Sequence, residues 1–328
     1  MAIKESGFAM PPLLDTKSGE RRRVGFELEF SGVTLKQAGE AVQSALGGEL
    51  HSDSVAELSL HNELGRFNIE IDWDFLKREA AEAGAEEGGD GWLELLSQAA
   101  SLVVPIEVVC PPLSLDRLKD LEPLAPALRE AGARGTEDSL IAAYGVHINA
   151  EIPQLNAETL DAYLRAFALL QWWLVQAHRV DIARRVSPYI DLYPETYIRL
   201  LLEREKPTLD NVFRDYLQHN ATRNRALDLL PLLAEIDEAR VRRAVDDPRI
   251  KPRPAFHYRL PNCQIEKPGW SLASSWNTWC VVEALAARPE WLAELGEAYL
   301  ARSQPLLGVN RGNWTEFMSV WLSDHGLV

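Results

Sequence analysis

Glu27 and Glu29 stand two residues apart in Arg23-Val-Gly-Phe-Glu-Leu-Glu-Phe30, a run that alternates strictly between apolar and polar side chains. Side chains two apart on a strand share a face, so both carboxylates point one way and Phe26, Leu28 and Phe30 the other. The division recurs four times along the chain. Asn68, Glu70, Asp72 and Asp74 oppose Phe67, Ile69, Ile71 and Trp73; Glu107 opposes Ile106 and Val108. His147 and Asn149 oppose Val146 and Ile148; His257 and Arg259 oppose Phe256, Tyr258 and Leu260. If these strands pair, one sheet face gathers Glu27, Glu29, Glu70, Asp72, Glu107, His147, Asn149, His257 and Arg259. Five carboxylates in one cleft repel each other unless cations or protons neutralise them. Hard oxygen donors with an imidazole or two suit Mg2+ or Mn2+ better than zinc or copper. The candidate metal ligands are therefore Glu27, Glu29, Glu70, Asp72, Glu107, His147 and His257, and Arg259 is a partner for a phosphate or carboxylate. A Glu-x-Glu pair is ordinarily the solvated side of an antiparallel sheet. Such a side normally mixes both signs of charge, and lysine is missing from all five of these.

These residues need strands to position them. The alternation predicts strands over residues 23–30, 55–60, 66–74, 103–109, 142–152 and 255–260, with a hairpin turn at Glu63-Leu64-Gly65. Thr34 and Gly47-Gly48 bracket a helix over 34–46. Residues 92–102 and 115–131 read as helices, the latter interrupted by prolines, and residues 84–91 as an acidic loop. From 156 to 245 the chain reads as a mainly helical block, with Tyr163, Phe167, Leu170 and Leu174 as a buried stripe and Trp172 and Trp173 in the core. Helices resume from Trp276. Residues 1–20 are expected to be a flexible arm, and 21–328 a single catalytic domain. Strands and helices do not alternate as regular units, which argues against a parallel doubly wound sheet. The expected fold class is α+β: an antiparallel sheet with helices packed on one face and a helical insertion.

The 328 residues are 46% hydrophobic and 25% charged, a globular composition, with a net charge of −15. That balance disfavours nucleic acid as a partner. Three separated cysteines, Cys110, Cys263 and Cys280, form no metal motif. With no apolar leader and no bilayer-length apolar run, the expected location is cytoplasmic, with no membrane partner. Neither a Gly-x-x-x-x-Gly-Lys loop nor a Gly-x-Ser-x-Gly elbow is present.

Gly25-Phe-Glu-Leu-Glu-Phe30, Ile106-Glu-Val-Val-Cys-Pro-Pro-Leu113, Gly145-Val-His-Ile-Asn149 and Phe256-His-Tyr-Arg-Leu-Pro-Asn262 resemble, in order, the motifs of the amidoligase family. The catalytic domain of that family looks like glutamine synthetase and glutamate–cysteine ligase. The resemblance spans roughly residues 22–285. It implies a curved, glutamine-synthetase-like antiparallel sheet whose concave face holds ATP and two or more divalent metals. Glu27, Glu29, Glu70, Glu107 and His147 would surround the metals, and Asn149 and Arg259 would contact phosphates or substrate. Two positions depart from the pattern: His257 stands where the family often has glutamate, and Cys110 where it has serine.

The reaction implied is ATP- and Mg2+-dependent joining of a small-molecule or peptide carboxylate to an amine through an acyl phosphate. Glu107 or Glu70 would accept the amine's proton. Arg259, with Arg184 or Arg185, would stabilise the transferring phosphoryl group. A glutamine amidotransferase-like protein is a possible partner by the same resemblance. Three alternatives stay open: a metal-dependent hydrolase using the same carboxylates, a degenerate nucleotide-binding or interaction protein, and a structural domain with an acidic sheet face.

Overall fold

The structure, a computed structural model, describes residues 7–71, 104–136, 144–180, 190–304 and 308–328. Among them are nine strands: β1 (Arg23–Phe30), β2 (Glu49–Ser54), β3 (Glu57–Asn62), β4 (Gly65–Ile71), β5 (Ile106–Val109), β6 (Leu113–Ser114), β7 (Val146–Ala150), β8 (Leu227–Asp228) and β9 (His257–Tyr258). The α-helices are α1 (Leu35–Leu46), α2 (Leu124–Ala131), α3 (Ala157–Ala177), α4 (Glu195–Glu203), α5 (Leu209–His219), α6 (Leu230–Ala244), α7 (Leu272–Ala286), α8 (Pro289–Arg302) and α9 (Arg311–Asp324). The strands form one open antiparallel sheet in the order β2-β3-β4-β5-β1-β7-β9-β8, with β6 beside β1. The fold is α+β, as the alternation implies.

Two compact units divide the chain. A sheet unit comprises Val24–His147 and Pro261–Leu272; a helical unit comprises Met1–Arg23, Ile148–Leu260 and Ala273–Val328.

In the sheet unit, the apolar face of the alternation is the core. Phe26, Leu28, Phe30, Phe67, Ile69, Ile106 and Val108 are all fully buried, each worth about 1.5–3 kcal/mol of transfer free energy. Helix α1 starts at a capping box: the Thr34 hydroxyl accepts from the Gln37 amide, and the Gln37 side chain accepts from the Thr34 amide. It stops at Gly47, whose φ of 66° suits glycine. Gly39 lets α1 sit close to the sheet, since a Cβ there would stand 2.6 Å from Leu58 Cδ1. The β3–β4 hairpin closes where Asn62 Oδ1 accepts from the Leu64 amide at 2.9 Å and Gly65 takes φ 128°.

In the helical unit, α3 is capped by Asn156 Oδ1 on the Thr159 amide. Tyr163, Phe167, Leu170 and Leu174 are buried along it, as their spacing predicts. Tyr193, Tyr197 and Tyr216 pack edge to face, with centroids 5.2 to 6.1 Å apart, and belong to the core. Asp161 bridges Arg204 and Arg165, and Arg204 also reaches Asp215 at 2.7 Å.

Several expectations are corrected. Strand β2 was not foreseen, because its polar residues are almost all exposed at the sheet edge. Residues 115–131 split into a 3-10 turn, Leu115–Leu121, and α2; Pro123 has no amide hydrogen to continue the ladder, and the Glu122 amide closes the turn on the Lys119 carbonyl instead. The helical block contains the two-residue strand β8, and the last strand shortens to β9. Trp173 is buried, but Trp172 is half-buried and lines a cavity of about 1210 Å³ with Arg179, Glu195 and Arg311. The expected helix at 92–102, the acidic loop at 84–91 and residues 72–74 lie outside the described residues, as do Arg184 and Arg185.

Candidate metal centre

Strand register builds the site. Glu29 is the cross-strand partner of Glu107, and Glu107 is in turn the partner of Glu70. Glu70 faces Glu57 on β3. Directly opposed residues share a face, so four glutamates form a row across β3, β4, β5 and β1. Glu27 lies two residues along β1, on the same side. Opposed like charges destabilise a sheet, so packing alone does not account for the row.

His147 on β7 is placed against it. Its Nδ1 lies 2.8 Å from Glu27 Oε2, so an Nδ1–H donates there. That contact turns Nε2 toward Glu29 Oε1, 3.5 Å away. The other oxygen of Glu29 accepts from the Gly145 amide at 2.7 Å, and the Glu29 amide donates to the Gly145 carbonyl at 3.0 Å. Glu29 is thus fixed by the chain entering β7. The His147 side chain is 7% exposed and those of Glu27 and Glu29 are 20% and 26% exposed, so the glutamates remain open to solvent. Ligand atoms of Glu29, Glu107 and His147 all lie within 4.8 Å of one another. Two carboxylates and an imidazole held by a further carboxylate fit a divalent cation: a metal-binding histidine commonly gives its second N–H to such a group. The oxygen-rich set suits Mg2+ or Mn2+. Cys110 offers no competing thiolate chemistry: burial, and then Glu27, push its thiol well above the ordinary range.

The remaining candidates lie in the helical unit. His257 is buried, with Nδ1 3.3 Å from Asp228 Oδ2, its cross-strand partner. This repeats the carboxylate–imidazole pairing of Glu27 with His147. Asn149 Oδ1 accepts from Arg253 Nη2 at 2.8 Å, and Arg259 Nη1 donates to the Arg223 carbonyl at 2.6 Å. Asp72 and Arg185 lie outside the described residues.

Two acids were missed. Glu57 lies in a strand whose polar side also carries Ser59 and His61, and only register reveals its place in the row. It also lies 4.0 Å from Arg66. Asp228 lies in β8, too short to leave a periodic signal.

In this α+β fold a sheet face of glutamates surrounds an oriented histidine, a group that could hold a metal ion. A family described as "Putative amidoligase enzyme" matches residues 20–281, and the chain belongs to that family. Membership supports a ligase-type enzyme. No curated protein and no solved structure matches the chain. No helix among the described residues is long and apolar enough to cross a membrane.

Proposed function

We propose that the protein is an ATP- and Mg2+-dependent carboxylate–amine ligase of glutamine-synthetase-like type, forming an amide through an acyl phosphate. The observation that carries this reading is the glutamate row Glu57–Glu70–Glu107–Glu29 with His147 held beside it. Glu29, Glu107 and His147 hold the cation, and Glu27 orients His147. A bound Mg2+ (or Mn2+) supplies charge neutralisation and Lewis acidity at the phosphoryl group. Glu70, next to Glu107, attracts the incoming ammonium and takes its proton. Asp72 and His257 are further ligand candidates on this reading, and His257 has Asp228 to orient it. Asn149 and Arg259 take the phosphate-contacting role that the resemblance gives them, and Arg184 or Arg185 assists Arg259 at the transferring phosphoryl group. The substrates are a small-molecule or peptide carboxylate and an amine. A glutamine amidotransferase-like partner would supply ammonia.

The test is calorimetric titration with a non-hydrolysable ATP analogue, with and without Mg2+, on wild type and on the Glu27→Gln/Glu29→Gln double variant. Binding that needs Mg2+ and disappears in the double variant supports the reading. A screen of carboxylate–amine pairs for phosphate release follows. Folded wild type that binds Mg2+ but no nucleotide sinks the ligase and favours a metal-dependent hydrolase. Binding of neither leaves an interaction or structural domain.

A further inference from the structure

Three arginines converge in the helical unit around acids that are already engaged. Asp247 is held by Arg249 through three bonds: the backbone amide and Nε reach Oδ1 at 2.9 and 3.0 Å, and Nη2 reaches Oδ2 at 2.9 Å. Asp228, fully buried, accepts from the Leu230 amide at 2.9 Å and lies against His257. Arg223 comes no closer than 3.8 Å to Asp247, beyond hydrogen-bond reach. Its carbonyl receives the Arg259 guanidinium. Burial first, and then Arg249 and Arg259, lower the Arg223 pKa, against the opposing pull of Asp247 and Asp228. A guanidinium is a rigid fork of donors matched to carboxylate and phosphate oxygens. The Arg223 and Arg249 side chains are 23% and 52% exposed, so the fork is reachable from solvent.

We propose that Arg223, with Arg259 beside it, forms an oxyanion-binding site in the helical unit, for a phosphate or carboxylate group, with Asp247 and Arg249 as its supports. The site adds Arg223 to the anion-contacting role given to Arg259 above, and in that respect rests on the ligase reading. Its chemistry does not require a metal.

Calorimetry on the full chain tests it, with tripolyphosphate and glutarate as separate probes, both without metal, and the ATP analogue with Mg2+. The variants are Arg223→Met and Arg223→Lys, each checked for an unchanged melting temperature. Expected is a loss of roughly tenfold or more in affinity for one probe in Arg223→Met, with partial recovery in Arg223→Lys. Loss confined to tripolyphosphate and the ATP analogue assigns a phosphate; loss confined to glutarate assigns a carboxylate. Wild type that binds tripolyphosphate but no nucleotide keeps the site and removes the ligase reading. Equal affinity of wild type and Arg223→Met for every ligand overturns the site, and leaves the ligase reading intact if the analogue binds. No binding of any probe by folded wild type overturns it as well.

Discussion

Glu283 in the helical unit and Glu107 in the sheet unit meet opposite neighbours. Glu283 faces a fork: Arg22 Nη1 and Nη2 reach its two oxygens at 3.0 and 2.8 Å. The Tyr163 hydroxyl and Trp279 Nε1 also donate to it. Arg22 spends its other donors on the Glu151 and Leu13 carbonyls at 2.7 Å. Both charged side chains are 1% exposed; burial opposes the Arg22 charge, but Glu283, Tyr163 and Glu151 together more than offset it and raise the Arg22 pKa. Glu107 instead has a glutamate opposite it on each side, Glu29 and Glu70, and stays half-exposed. A charge that is buried and fully partnered fixes architecture. Like charges facing one another across three strands repel, and a cation placed among them would relieve that repulsion.

The largest expected effect tests the first half of that contrast. Replacing Glu283 with alanine leaves Arg22 buried and unpaired, and should lower unfolding free energy by about 3–5 kcal/mol. Urea denaturation measures it; a variant as stable as wild type would show that the network is not architectural. Next comes the cation. Mg2+ at about a hundredfold excess over its dissociation constant should stabilise wild type by about 2.7 kcal/mol. The Glu29→Gln/Glu107→Gln protein should lose that protection in a thermal shift. Equal protection of both proteins would break the contrast from the other side.

Without metal the sign reverses. Glu107→Gln removes an inner charge of the row, and should raise metal-free stability by roughly 0.2–1 kcal/mol for each like-charge pair relieved. Chemical denaturation in a chelator reads this. A loss of stability would mean that Glu107 is held by favourable contacts and not strained by its neighbours.

The two halves of the comparison were not equally legible. Alternation exposed β1 and the glutamates it carries, because one face is fully apolar and the other is not. The ends of α1 were readable from Thr34 and Gly47, whose chemistry is local. Register is not local: that Glu29, Glu107, Glu70 and Glu57 fall in one row depends on strand pairing across long separations, and only the structure supplies it. The Arg22–Glu283 pair spans 261 positions and carries no periodic signal. Arg22 stands among three consecutive arginines, and nothing in the sequence marks it as the buried one. Asp228 and Asp247 lie in segments too short or irregular to place from spacing. Trp172 misled because it stands in the run 166–175, which is apolar but for Gln171.

Asp247 falls between the two extremes, paired yet 20% exposed, and its pH dependence sharpens the comparison. The bonds from the Arg249 side chain come first, and with the Arg249 amide and Arg223 they lower its pKa to about 2, against opposition from burial. The unfolded value is about 3.9. A depressed native pKa means that the ionised form is preferred in the folded state. The contribution is therefore complete above about pH 4 and is lost as pH falls through the native value near 2. Screening holds it to less than about 1 kcal/mol. Subtracting the stability–pH curve of Asp247→Asn from that of wild type should leave a step in that window and a constant difference above it. A flat difference would show that Arg249 gives Asp247 no more than solvent does.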